Sequence, residues 1–224
     1  MGHAMQPGSP DAPAGTLIVA CGALAREIAA LKRANGWDGV TVHYLAPELH
    51  NRPERIPDAV ADYVRSVAGR FERILVGYAD CGTGGRLDSV LAALRADSGA
   101  SVERLPGVHC YEFYAGEAVF AALSEAELGT FYLTDFLLHH YERLVIRGLG
   151  LDRHPELMST YFGHYKRLVY LAQKPSEADR AEAQAIAARM GWSYEFHPTG
   201  YGGLADSLQA ALAPVHKEDQ TWPQ

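Results

Sequence analysis

From Thr16 onward the chain repeats one pattern. A short run of β-branched and aliphatic residues gives way to a turn holding Gly, Pro or Asn, then to a stretch with apolar residues at i, i+3 and i+4. Strands separated by helices return to a sheet in the same direction, so this alternation predicts parallel β-α-β units. The strand runs are TLIVAC (16–21), VTVHYL (40–45), RILVGY (73–78), SVERL (101–105), TFYLT (130–134), KRLVYLA (166–172) and WSYEF (192–196). Helical periodicity covers 22–35, 53–69, a segment ending near 97, one beginning near 111, 135–148, one from about 155, 176–190, and one ending near 213. The expected fold is α/β and Rossmann-like, with flavodoxin-like strand order, parallel sheets and helices on both faces. Two closely packed halves are expected over 16–124 and 125–213, with mobile polar ends at 1–15 and 214–224.

With 48% hydrophobic and 21% charged residues, a chain of 224 residues can bury a sizeable core. Its apolar runs fall short of the roughly 20 residues that span a bilayer, and its first residues lack the apolar stretch of a secretory signal. A net charge of −7 with no run of Lys or Arg argues against nucleic acid as a partner. The expectation is a cytoplasmic protein that engages neither membrane nor nucleic acid.

Three cysteines are too few for a disulfide scaffold and cannot all pair within the chain. Their placement is more telling than their number. Cys21 ends the first strand, Cys81 follows the third and Cys110 follows the fourth. Parallel strands bring such ends to one edge, where open α/β sheets bind ligands. If the order is 2-1-3-4, the three lie within about 10 Å of one another across neighbouring strands. Each also precedes a helical segment, whose free amides favour a thiolate. Their spacing excludes a zinc finger or ribbon and the compact runs of small ferredoxins. Any site would be assembled by the fold from three soft ligands with one position open, which suits an iron–sulfur cluster or zinc rather than magnesium or calcium. Each cysteine taken alone reads more readily as a small core residue. Cys81, Cys110 and the adjacent His109 are also candidates for nucleophilic or acid–base catalysis.

The loop Asp80-Cys81-Gly82-Thr83-Gly84-Gly85 resembles a phosphate cradle, because consecutive amides at a helix start bind anions, but it lacks the Lys-Ser/Thr of a P-loop. Tight-turn chemistry explains its glycines as well. Gly82, Thr83, Gly84, Gly85, Tyr111, Gly200 and Tyr201 are therefore candidate cofactor-binding positions. His50 follows the second strand and is a further imidazole within reach of the same edge. Asp135 begins a helix and reads as its cap.

Seven motifs occur in order: ACGAL (20–24), LHNRPE (49–54), DCGTGG (80–85), HCYEFYAG (109–116), GTFYLTDFL (129–137), GLGLDRHPEL (148–157) and TGYGGL (199–204). Together they resemble the domain of unknown function 1638 family over nearly all of 16–213. The resemblance implies a supporting role in C1 metabolism, beside corrinoid-dependent methylamine methyltransferases, with Cys21, Cys81 and Cys110 as the site. Implied partners are a small molecule, a corrinoid or a methyltransferase protein, and a homodimer sharing the site is compatible with the open position. The leading expectation is a metal-binding protein with an iron–sulfur or zinc centre serving redox or methyl-transfer chemistry. The alternatives are a metal-free enzyme or methyltransferase with a reactive cysteine, and a module that binds a corrinoid or nucleotide.

Overall fold

The computed structural model describes residues 15–213; the ends expected to be mobile lie outside them, apart from Gly15. Among the described residues, seven parallel strands form two sheets. β1 (Thr16–Cys21), β2 (Val40–Leu45), β3 (Arg73–Gly77) and β4 (Ser101–Arg104) make the first, in the order β2-β1-β3-β4. β5 (Thr130–Thr134), β6 (Arg167–Ala172) and β7 (Ser193–Pro198) make the second, in the order β5-β6-β7. All five strand pairings are parallel. This is the Rossmann-like α/β fold with the flavodoxin-like order, and the ends of β1, β3 and β4 adjoin at one edge.

Burial follows each strand's rank in its sheet. Leu17–Ala20 of β1 and Leu168–Ala172 of β6 are covered on both faces, as their unbroken apolar runs require, whereas edge strand β2 is only half-buried. The helices α1 (Ala25–Asn35), α2 (Ile56–Ser66) and α3 (Arg86–Ser98) each bury one stripe: Ile28 and Leu31, then Ile56, Val60 and Val64, then Leu87, Leu91 and Leu94. Gly77 of β3 pairs in register with Ala20 of β1. A Cβ there would stand 2.7 Å from that of Ala20. Gly77→Ala must push the two central strands apart, so it is expected to cost about 1–3 kcal/mol and lower the melting temperature by several degrees in a scanning calorimeter.

Beyond β4 the chain forms α4 (Glu112–Ala115) and α5 (Glu117–Ala126), broken at Gly116, whose φ of 79° no helix accommodates. In the second half the helix expected over 135–148 is interrupted. α6 (Asp135–His139) gives way to a π-helical turn, Glu142–Ile146, with Arg147 N–H donating to the Glu142 carbonyl at 2.9 Å. The Leu144 carbonyl of that turn accepts from Asn51 Nδ2 at 2.7 Å, a bond between the halves made by the LHNRPE motif. The helix expected from about 155 begins as a 3-10 turn, Pro155–Leu157, and continues directly into the short α7 (Met158–Phe162).

α8 (Glu177–Met190) begins with the expected cap: Asp179 N–H donates to Ser176 Oγ at 3.1 Å, and Ser176 N–H donates back to the Asp179 carboxylate at 2.8 Å. The last helix, α9 (Gly202–Leu212), crosses back over the expected boundary. Leu204 and Leu208 are buried in the core of the first sheet, and α9 packs on α4. Glycine permits this approach, because a Cβ at Gly202 would meet the Tyr114 carbonyl at 2.6 Å.

Candidate thiol site between the halves

Two backbone bonds set the site's geometry. Asp80 N–H donates to the Gly107 carbonyl at 3.2 Å and Cys81 N–H to the Val108 carbonyl at 3.0 Å, so the loop after β3 is laced to the loop after β4. Cys81 is thereby brought beside Cys110. Cys81 is also the one non-glycine with positive φ (50°) among the described residues, a conformation that costs about 1–2 kcal/mol in an L-residue. Cys21 arrives from β1. It is followed by Gly22, where a Cβ would lie 2.9 Å from the Leu45 carbonyl.

All three cysteines are free and line one cavity of about 260 Å³. The first half also contributes Tyr78, His50, His109 and Tyr111 to its lining, and the second half contributes Thr134, Phe136, Leu137 and Leu144. His109 stacks on Tyr111 with ring centroids 4.3 Å apart, and Tyr111 N–H donates to His109 Nδ1 at 3.4 Å, so that nitrogen is the acceptor. Tyr111 in turn meets Tyr132 of β5 at 5.4 Å. An aromatic chain thus joins the thiol edge to the second sheet.

The three thiols differ in character. The Cys110 thiol, acting as a hydrogen-bond donor, holds Cys81 below the usual thiol range against the opposing effect of burial. Interaction with Cys81, reinforced by burial, pushes Cys110 up. Burial pushes Cys21 up to about 11. Burial, and secondarily His50, lowers His109 to about 4, and partial desolvation lowers His50 too, so both imidazoles are neutral at pH 7. Since the thiolate is the nucleophile, iodoacetamide at neutral pH is expected to modify Cys81 about tenfold or more faster than Cys21 or Cys110, read by peptide mass spectrometry. Modification of Cys21 first would contradict this ordering.

Tyr78, one residue past β3, is 2% exposed, and its hydroxyl has no hydrogen-bond partner. Burial, then the neighbouring Cys21 and after it the other two thiols, raise its pKa. A strand-end tyrosine reads as core packing in sequence, and no local signal marks it as part of a site.

The candidate cofactor positions divide. Gly82 and Tyr111 line the cavity, whereas Thr83, Gly84, Gly85, Gly200 and Tyr201 do not. The cradle's donors are engaged within the loop: Asp80 accepts from Gly85 N–H at 2.8 Å, Gly84 N–H at 3.1 Å and Thr83 Oγ1 at 2.7 Å. These bonds outweigh burial and hold the Asp80 carboxyl below its usual range. Gly84 and Gly85 amides bonded to a carboxylate are not open to a phosphate. Gly200 and Tyr201 shape the start of α9, where Gly200 N–H donates to the Ala172 carbonyl at 3.3 Å.

Among the described residues, no three His, Cys, Asp or Glu side chains stand in a ready-made metal-ligand arrangement. By donor chemistry the cavity still fits a soft metal. Its ligating atoms are three sulfurs and two neutral imidazoles with no carboxylate, and the unpartnered Tyr78 hydroxyl faces the thiols, where a thiolate would accept its hydrogen.

Comparison with known sequences places this geometry in a family. Residues 44–208 match the family described as Protein of unknown function (DUF1638). The chain belongs to that family. The matched span begins in β2 and runs into α9, so it includes Cys81, Cys110 and Tyr78 and stops short of Cys21. No curated protein matches the chain. Among the described residues, no helix is long and apolar enough to cross a membrane.

Proposed function

We propose that this DUF1638 member is a cytoplasmic protein that holds a soft metal centre, an iron–sulfur cluster or zinc, on Cys21, Cys81 and Cys110. One observation carries the reading: three cysteines 60 and 29 residues apart in sequence line a single cavity together with a buried, unpartnered tyrosine hydroxyl. Cys21 and Cys110 are protonated thiols at neutral pH, so loading must release protons, and the hydroxyl of Tyr78 then donates to a thiolate. Bound there, such a centre supplies electron transfer or Lewis-acid chemistry at its open position. Redox or methyl-transfer metabolism is the setting this chemistry serves. The aromatic lining limits the access of water. The cavity is too small to enclose a corrinoid, so a corrinoid or its methyltransferase would meet this protein as an external partner. Titrating metal-free protein with cobalt(II) tests the reading: one equivalent taken up, with sulfur-to-cobalt charge-transfer absorption, is expected. No uptake at micromolar metal would end it.

A second reading rests on Cys81 alone. Its positive φ, its lowered pKa and its partial exposure suit a thiolate nucleophile. Under this reading one cysteine labels stoichiometrically and metal does not protect it, whereas under the first reading bound metal abolishes labelling.

A further inference from the structure

The character of the cavity limits what can occupy it beyond the sulfurs. Among the described residues that line it, no side chain is Asp, Glu, Lys or Arg. Leu24, Ile56, Phe136, Leu137 and Leu144 make up much of the remaining wall. An anion moved into such surroundings keeps a desolvation penalty of several kcal/mol that no Lys or Arg in the lining offsets. The cavity, about 260 Å³, also falls just under the range of about 300–1,000 Å³ for pockets that take drug-sized ligands.

We infer that this cavity binds a small, uncharged, largely apolar molecule against the thiol edge, and that it discriminates against anions of the same size. The inference deepens the proposed function by naming the ligand class that reaches the open side of the centre, but the cavity carries it whether or not metal is bound. Phosphorylated and carboxylated metabolites are excluded as ligands of this cavity. The entry of an apolar molecule between Leu144 of the second half and the cysteines of the first also ties binding to the contact between the halves. Asn51 and Leu144 sit at that contact.

The test uses two ring compounds of matched size that differ in charge: cyclohexanol and cyclohexanecarboxylate. Binding to the full chain is measured by calorimetry, on protein as purified and again after chelation of any metal. Cyclohexanol is expected to bind at least about tenfold more tightly than the carboxylate, and in the chelated protein to slow alkylation of Cys81. In Leu144→Arg the preference is expected to move to the carboxylate. Equal or tighter binding of the carboxylate to the unmodified protein, or no binding of either compound, would overturn the inference without use of the variant. An unchanged ranking in a folded Leu144→Arg protein would overturn it too. Metal content judges the metal centre separately: cyclohexanol binding by protein that never takes up metal would leave this inference standing and remove the centre.

Discussion

Asp135→Ala is expected to destabilise the protein by about 3–5 kcal/mol, the largest loss from any single side chain of the second half. Asp135 is 6% exposed and accepts from Tyr170 Oη at 2.7 Å, Gln173 N–H at 3.2 Å and Lys174 N–H at 2.6 Å. Its own N–H donates to Gln173 Oε1 at 3.1 Å. Alanine removes the acceptor and leaves a buried phenol and backbone donors unsatisfied, each at about 1–3 kcal/mol before any relaxation. At about 2–4 °C per kcal/mol for a chain of this size, the melting temperature should fall by roughly 6–20 °C. Asp135→Asn keeps one acceptor oxygen and should fall between the two. A drop under about 2 °C for Asp135→Ala would show that the network contributes little. Because Thr134, which lines the cavity, caps α6 by accepting from Leu137 N–H at 3.2 Å, loosening this corner should also disturb the cavity wall.

The second large effect concerns the thiols. Changing Cys21, Cys81 or Cys110 singly to Ser is expected to weaken cobalt or zinc binding by roughly 10²–10⁴-fold. The basis is arithmetic: a thiolate site worth about 10–16 kcal/mol loses on the order of a third of that with one of its three ligands. The three losses should be similar, and that equality is the informative part. If Cys81→Ser alone abolished an activity while Cys21→Ser and Cys110→Ser left metal binding and labelling untouched, Cys81 would be acting as a nucleophile. Metal affinity should also rise with pH. Cys21, pushed up to about 11, and Cys110, raised beside Cys81, both hold protons through the neutral range, and the metal must displace them. Weakening of binding as pH increases from 6 to 8 would run against the ligand assignment.

Much of the sheet was legible in the sequence because central parallel strands write themselves as unbroken apolar runs. β1 and β6 are such runs, bounded by turn residues. The shared edge of the three cysteines followed from strand polarity and the 2-1-3-4 order alone. What sequence concealed depends on partners far along the chain. Asp135 reads as a cap, yet it is Thr134 that caps α6, while the carboxylate of Asp135 binds donors 35 to 39 residues away. Tyr78 reads as a strand residue, and only burial without a hydrogen-bond partner sets its hydroxyl apart. The return of α9 to the first core is a tertiary choice by Leu204 and Leu208 that helical periodicity does not address. In the loop after β3, glycine spacing suggested an anion site, and the nearby carboxylate of Asp80 had already taken the amides.

The most direct measurement of the central claim is the iron, acid-labile sulfide and zinc content of the full chain purified without oxygen, with its absorption spectrum. One metal centre per chain, lost in Cys110→Ser while the folded circular-dichroism spectrum is retained, is the predicted result. Metal-free protein that stays metal-free after incubation with iron and sulfide or with zinc would contradict it.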